Sequence, residues 1–256
     1  MCLISFAWQP QTDYPLIMVA NRDEFHLRPA LPAHFWEEHP HMLAGKDLEA
    51  GGSWLGISRS GRFAALTNYR QIPAPYQGQL SRGMLVSAYL QGDASPESYL
   101  QQVAANAALY DGFNLIVGDL NQCWYFSNRS NAAPSELASG VYGLSNHLLN
   151  TPWPKVRLAR ENLIQRLRQS EISLASLAGC LDSTRPAPRE ELPDTGIGPT
   201  WEHMLSAARI ISPEYGTRAN TRLMLGRVRI RFREDSYNPA GLVTGSELFS
   251  FDISNS

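Results

Sequence analysis

The 256-residue sequence predicts a mixed α+β fold with mainly antiparallel sheets. Three hairpin-like pairs of short apolar runs lie along the chain, and stretches with helical periodicity separate them. The order is strands, a helix pair, strands, helices and strands, which favours layers of helix packed on sheet. The sequence shows no internal repeat and no obvious interdomain linker, so we expect a single domain over residues 1–256.

Short apolar runs bounded by turn residues predict the strands. Leu3–Trp8 and Leu16–Ala20 flank the polar segment Gln9–Tyr14 and form the first predicted hairpin. The other predicted strands are Trp54–Ser58, Arg62–Thr67, Phe113–Val117, Cys123–Phe126, Leu223–Phe232 and Leu248–Ile253.

Apolar residues at helical spacing predict four helices. They are Arg82–Leu90, Pro96–Leu109 with Ser95 as its N-cap, Pro154–Arg168 and Ile172–Leu181. Pro186–Pro199 is rich in Pro, Glu and Gly and predicts a loop.

Composition excludes several classes of protein. The net charge of −2 gives no reason to expect nucleic acid or an anionic membrane as partner. The N-terminus lacks the basic region of a signal peptide, and no apolar run approaches the ~20 residues of a membrane span. The three cysteines, Cys2, Cys123 and Cys180, are widely spaced and argue against a secreted disulfide framework. We therefore expect a soluble, cytoplasmic protein that binds a small molecule.

Cys2 is the first candidate for chemistry. Removal of Met1 would give Cys2 a free α-amine beside its thiol, and such an amine can accept the proton of a neighbouring nucleophile. This is the logic of N-terminal nucleophile hydrolases. The alternative is that Cys2 is a small buried apolar residue of a strand.

The segment Asn21-Arg22-Asp23-Glu24 is the second candidate, because it places polar side chains directly after a predicted strand. Such groups could orient a nucleophile, change its pKa or hold a substrate carboxylate. The alternative is a strand-end turn closed by local salt bridges.

The histidines give a poor metal signal. His39 and His41 are close, but Pro40 separates them and no third ligand is fixed, so no metal site is predicted. Haem needs only one or two axial ligands and stays possible.

Nine short motifs in order resemble the NRDE family, which includes the transport-and-Golgi-organisation 2 proteins. They are Met1-Cys2, Asn21-Arg22-Asp23-Glu24, Gly51–Gly56, Thr67–Arg70, Ser81-Arg82-Gly83, Gly112–Leu115, Gly143–Asn146, Thr151–Val156 and Tyr215–Arg218. The likeness covers nearly the whole chain. More distantly, the layout is similar to bile-salt hydrolases and penicillin V acylases, which are Cys-type N-terminal nucleophile hydrolases.

This distant resemblance implies an αββα four-layer sandwich with Cys2 as nucleophile. It implies Asn68 and Asn146 as oxyanion-hole donors, whose amides carry no charge to desolvate. Arg22 and either Asp23 or Glu24 would face the thiol, and Arg218 would supply a C-terminal arginine.

Two classes of function follow from the resemblance. One is a hydrolase of linear amides, or less favourably thioesters, that requires no cofactor. The other is a non-enzymatic carrier of haem or another hydrophobic cofactor, since NRDE proteins are implicated in haem trafficking. A third possibility is a retained fold without activity.

The first class makes geometric predictions. Cys2, Arg22, Asp23 and Asn146 should line one cleft. Two glycines before a strand permit close approach of backbones, so Gly51 and Gly52 should border the same cleft, with Trp54 packed inside the sandwich.

Overall fold

The computed structural model describes residues 2–9, 11–72 and 78–254. Within these ranges the strands are β1 (Cys2–Trp8), β2 (Leu16–Phe25), β3 (Ala30–Phe35), β4 (Met42–Asp47), β5 (Leu55–Ser58), β6 (Phe63–Asn68), β7 (Phe113–Gly118), β8 (Cys123–Ser127), β9 (Ser135–Glu136), β10 (Gly140–Leu144), β11 (Tyr215–Leu225), β12 (Arg229–Tyr237) and β13 (Val243–Asp252). The helices are α1 (Gly83–Gln91), α2 (Pro96–Ala105), α3 (Pro154–Leu167) and α4 (Pro199–Leu205), with 3-10 turns at Ala107–Leu109 and Arg189–Glu191.

The strands form two sheets. The first sheet has the order β10-β1-β2-β11-β12-β13, and the second has the order β3-β4-β5-β6-β7-β8-β9. The strand neighbours within both sheets pair in antiparallel fashion. The predicted antiparallel character is therefore confirmed.

The apolar pattern of β1 explains how the layers stack. Ile4, Phe6 and Trp8 enter the core between the two sheets, while Leu3 and Ala7 pack towards α3. Because side chains alternate along a strand, a central strand covered on both faces is apolar throughout. All seven residues of β1 are buried accordingly.

Helices cover both outer faces. Residues of α1 and α2 pack with the second sheet in one core cluster, and residues of α3 pack with the first sheet in another. The layers thus run helix, sheet, sheet, helix, which confirms the expected αββα sandwich. Of the described helices, none combines the length and apolar character that a membrane crossing requires.

Three predicted elements differ from the structure. The predicted strand Leu223–Phe232 is a hairpin, because β11 ends at Leu225 and β12 begins at Arg229. The predicted helix Pro96–Leu109 ends at Ala105 and continues as a 3-10 turn. Ile172–Leu181 forms turns instead of a helix.

Side-chain hydrogen bonds account for the missing helix. The hydroxyls of Ser173 and Ser176 each accept a hydrogen bond from the other residue's backbone N–H, at 3.1 and 2.9 Å. Such local bonds compete with helical pairing. The apolar side chains of this segment still reach the core beside α3.

Candidate active site

A cleft of about 460 Å³ opens where β1 begins, and Cys2 lies in its wall. The first sheet contributes Cys2, Arg22, Asp23 and Glu24, and the remaining walls come from the second sheet and its loops. The further lining residues are Arg28, Asp47, Glu49, Ala50, Gly52, Ser53, Trp54, Leu66, Asn68, Gly78, Gln79, Leu80, Ser81, Arg82, Gly83 and Asp111. Part of the predicted site is therefore assembled in one place.

Pairing of β1 with β2 sets the direction of the Cys2 side chain. Cys2 lies opposite Arg22, so both side chains are on the face that carries Ile4 into the core between the sheets. The Cys2 carbonyl accepts a hydrogen bond from the Ser145 hydroxyl at 3.0 Å. The thiol is thus held at the cleft by the backbone of a central strand.

The electrostatics of the cleft keep the thiol protonated. Burial raises the pKa of the Cys2 thiol. The negative charges of Asp23 and Glu24 raise this pKa further, whereas the positive charge of Arg22 lowers it. Since the net direction is upward, little thiolate is present at neutral pH, and attack on a substrate requires a base. The α-amine that Met1 removal would create is such a base. Met1 itself lies outside the described residues.

The NRDE residues are part of a strand and not a turn after one. β2 continues to Phe25 because β1 and β11 pair with it on both sides. Asn21, Arg22 and Asp23 are consequently buried, although they are polar. The interpretation as a strand-end turn was wrong, since the neighbouring strands satisfy the backbone of these residues.

Arg22 and Arg28 converge on Asp47. The Asp47 carboxylate accepts hydrogen bonds from Arg28 at 2.7 and 3.2 Å and from Arg22 at 3.4 Å. The Arg22 guanidinium also lies 4.3 Å from the Trp54 ring centroid. Burial raises the pKa of Asp47, but the bonds from Arg28 and the Ala50 backbone outweigh it and hold that pKa below its usual range. Asp47 therefore stays ionised and fixes both arginines.

Asp23 and Glu24 differ in their surroundings. Asp23 is completely buried, and its Oδ1 accepts a 2.7 Å hydrogen bond from Thr217. Burial raises its pKa, against the lowering effect of the Lys155 charge and the Thr217 bond. Glu24 is half-buried and accepts a bond from the Phe25 N–H. Asp23 is thus the more rigidly held carboxylate beside Cys2.

The two asparagines take different places. Asn68 lines the cleft at the end of β6. Asn146 is completely buried, and it is absent from the cleft lining, contrary to expectation. Its side-chain amide donates a hydrogen bond to the backbone carbonyl of Asn68 at 3.0 Å. Its backbone carbonyl accepts a hydrogen bond from the Arg70 N–H at 2.7 Å. Its present contacts support the backbone that carries Asn68.

Arg218 also lies outside the cleft lining. Its guanidinium donates to the carbonyls of Phe25 and Arg28 at 2.9 and 3.0 Å. Because these carbonyls fix the connection between β2 and β3, Arg218 braces the segment that carries Arg28 into the cleft. Arg28 and Asp47 could not be predicted as site residues from the sequence, because no motif marks either one.

Gly52 borders the cleft as predicted, whereas Gly51 is exposed and does not line it. A Cβ on Gly52 would lie 2.3 Å from the carbonyl carbon of Gly83, and the Ser53 N–H donates to the Gly83 carbonyl at 3.1 Å. Two backbones therefore meet where the cleft wall joins α1. Trp54 packs against the core between the sheets and lines the cleft as well.

Alanine at position 52 is expected to destabilise the protein by about 1–3 kcal/mol, because the new methyl group must displace backbone. Gly245→Ala is the matched control, since a Cβ there meets no atom within 4 Å. Urea unfolding of both variants measures the difference. Equal stability of the two variants would contradict the close approach at Gly52.

Residues 1–239 match the family described as Transport and Golgi organisation 2. The chain belongs to this family. It is 39% identical over 249 residues to the Transport and Golgi organization protein 2 homolog of Homo sapiens, with 88% of each chain covered. It is 30% identical over 245 residues to the Transport and Golgi organization protein 2 of Drosophila melanogaster, with 86% of each covered. The predicted family is confirmed.

Solved structures that are similar to this chain include those of two hydrolases. The Caenorhabditis elegans ortholog of N-acylethanolamine-hydrolyzing acid amidase matches with a TM-score of 0.48 and 11% identity, over 71% of this chain and 86% of that one. A mutant of the conjugated bile acid hydrolase from Clostridium perfringens matches with a TM-score of 0.47 and 7% identity, over 99% of this chain and 92% of that one.

Proposed function

We propose that the chain, once Met1 is removed, hydrolyses linear amides through Cys2, with thioesters as less favoured substrates. The observation that carries this proposal is the contrast among the three cysteines. Cys2 lines a polar cleft, whereas Cys123 belongs to the core between the sheets and Cys180 to the core beneath α3. A reactive thiol must be reachable by substrate, and Cys2 meets that condition.

The proposed reaction uses Cys2 twice. Its α-amine accepts the thiol proton, and the sulfur attacks the carbonyl carbon of the substrate. The ammonium then returns the proton to the leaving nitrogen as the C–N bond breaks. Water hydrolyses the resulting thioester, which releases the acid and restores the thiol.

Asn68 is the proposed donor to the oxyanion that forms during attack. It lines the cleft with Cys2, and within the described ranges its side-chain amide is not engaged in a hydrogen bond. A preorganised amide donor of this kind contributes roughly 10²–10³ in rate. Asn146 would act by holding the Asn68 backbone in place.

The cleft has a size and a lining that suit a small polar substrate. Its volume of about 460 Å³ falls within the usual range of small-molecule sites. Charged side chains dominate its walls: Arg22, Asp23, Glu24, Arg28, Asp47, Glu49, Arg82 and Asp111.

A haem would fit this lining poorly. Cys2 could supply one axial ligand, but no histidine lines the described cleft, and the charged walls offer little apolar surface to a porphyrin. The geometry therefore supports the hydrolase over the carrier.

A substrate panel followed by haem titration tests this proposal. Processed, Met-free protein is incubated with N-acyl amino acids and acyl thioesters, and product release is followed by mass spectrometry. We expect turnover of an amide by the wild type and none by Cys2→Ala. Stoichiometric haem binding that survives Cys2→Ala, with no turnover in the panel, would overturn the hydrolase in favour of the carrier.

A further inference from the structure

Lys155 is a buried lysine behind the nucleophile. It lies in the first turn of α3, directly after Trp153-Pro154, and is only 3% exposed. It is one of two lysines in the chain, the other being Lys46. Within the described part of the chain, its ammonium forms neither a hydrogen bond nor an ion pair.

This position is costly for a lysine in two ways. An ammonium loses hydration on burial, and without a hydrogen-bonded partner little offsets that loss. The first turn of a helix is the positive end of its dipole, where a cation is unfavourable, and the first turn of α3 has no acidic residue. A structural role would be better served by an apolar side chain, so the charge itself is the feature that needs explaining.

The charges around Lys155 belong to the back of the candidate site. Among the charges that raise the pKa of Lys155, that of Asp23 on β2 has the largest effect. Cys2 on β1 and Glu202 on α4 raise this pKa less, and the positive charge of Arg70 lowers it. The Glu202 carboxylate already bonds Arg70 at 2.6 Å. The charge of Lys155 is therefore directed chiefly at Asp23. Tyr215 on β11 and Glu24 on β2 are further titratable groups near Asp23.

The register of the first sheet places the α-amine of a processed Cys2 beside Asp23. Leu3 pairs with Asn21 and Cys2 pairs with Arg22. Continuing this antiparallel register past Cys2 leads to Asp23. A buried carboxylate at this point would hold the amine as an ammonium, and an ammonium has no lone pair with which to accept the thiol proton.

We propose that Lys155 is a positioning residue whose buried positive charge offsets Asp23 and keeps the α-amine of processed Cys2 neutral, ready to accept the thiol proton. This inference rests on the proposed function. Burial lowers the pKa of Lys155 to about 8, so the charge is present at neutral pH and is lost above it.

The test follows the titration of Cys2 itself. Processed protein is prepared with ¹³C-labelled cysteine, and the Cα and Cβ signals of Cys2 are identified by their absence in Cys2→Ala. The Cα shift reports the amine and the Cβ shift the thiol. The variants are Lys155→Met, Lys155→Arg and the control Lys46→Met, whose lysine pairs with Glu38 over Trp36.

Lys155→Met is expected to raise the Cα titration midpoint by roughly one pH unit or more, the usual effect of one nearby charge. Lys155→Arg and Lys46→Met should titrate like the wild type. Circular dichroism and urea unfolding check that each variant is folded under the conditions of the titration. An unchanged Cα midpoint in folded Lys155→Met overturns the proposal.

Turnover separates this inference from the proposed function. If the chain is a hydrolase, the acidic limb of kcat/KM in Lys155→Met moves to higher pH with the Cα midpoint. If no variant hydrolyses any substrate, the proposed function fails, while the Cα titration still decides whether Lys155 sets the charge state of Cys2.

Discussion

Replacing Cys2 with alanine is expected to reduce amide turnover by on the order of 10⁴–10⁶-fold, the loss that follows removal of a nucleophile. The fold should survive, because Cys2 lies at the end of β1, and its backbone bond to Ser145 does not require the thiol. The measurement is kcat/KM on the best substrate of the panel, with circular dichroism as a check of folding.

Cys180→Ala is the matched control for this variant. Cys180 is buried as well, but it packs in the core beneath α3 and does not line the cleft. It should retain most of the wild-type turnover after a modest loss of stability. Comparable turnover in Cys2→Ala and Cys180→Ala would remove Cys2 from the chemistry.

The second large effect is expected from Arg70→Met. Arg70 and Glu202 form a 2.6 Å ion pair in which each side chain is 4% exposed. The Thr195 N–H also donates to Glu202 at 2.8 Å. Loss of the arginine leaves a buried carboxylate without its counter-charge, which costs about 3–5 kcal/mol. Urea unfolding measures this loss directly.

An exposed ion pair provides the comparison for Arg70→Met. Arg157 pairs with Glu191, and both side chains are largely exposed to solvent. Arg157→Met should therefore change the free energy of unfolding by about 1 kcal/mol or less. If the two variants lose the same stability, the Arg70–Glu202 pair does not stabilise the region behind the site.

Local patterns predicted those elements whose partners are close in sequence. The β1–β2 hairpin could be predicted because its apolar runs flank a short polar turn. Even there, the end of β2 was misjudged, since its polar residues suggested a turn. Their burial depends on β11, which pairs with β2 from nearly 200 residues along the chain. Tertiary pairing of this kind leaves no local pattern.

The site was predictable only where family motifs mark it. Cys2, Arg22, Asp23 and Asn68 do meet in one cleft. Asp47 could not be found, because its role depends on arginines brought together by the packing of two sheets. Lys155 belongs to the family motif Thr151–Val156. Only its burial against the first sheet distinguishes it from an ordinary surface lysine of a helix.

Covalent trapping tests most directly whether Cys2 is an N-terminal nucleophile. Natively expressed protein is mixed with an activated acyl ester, quenched in acid and analysed by intact mass and peptide mapping. We expect a chain that lacks Met1 and carries one acyl group on the peptide beginning at Cys2. A chain that retains Met1, or an acyl group found only at other residues, would contradict the proposed mechanism.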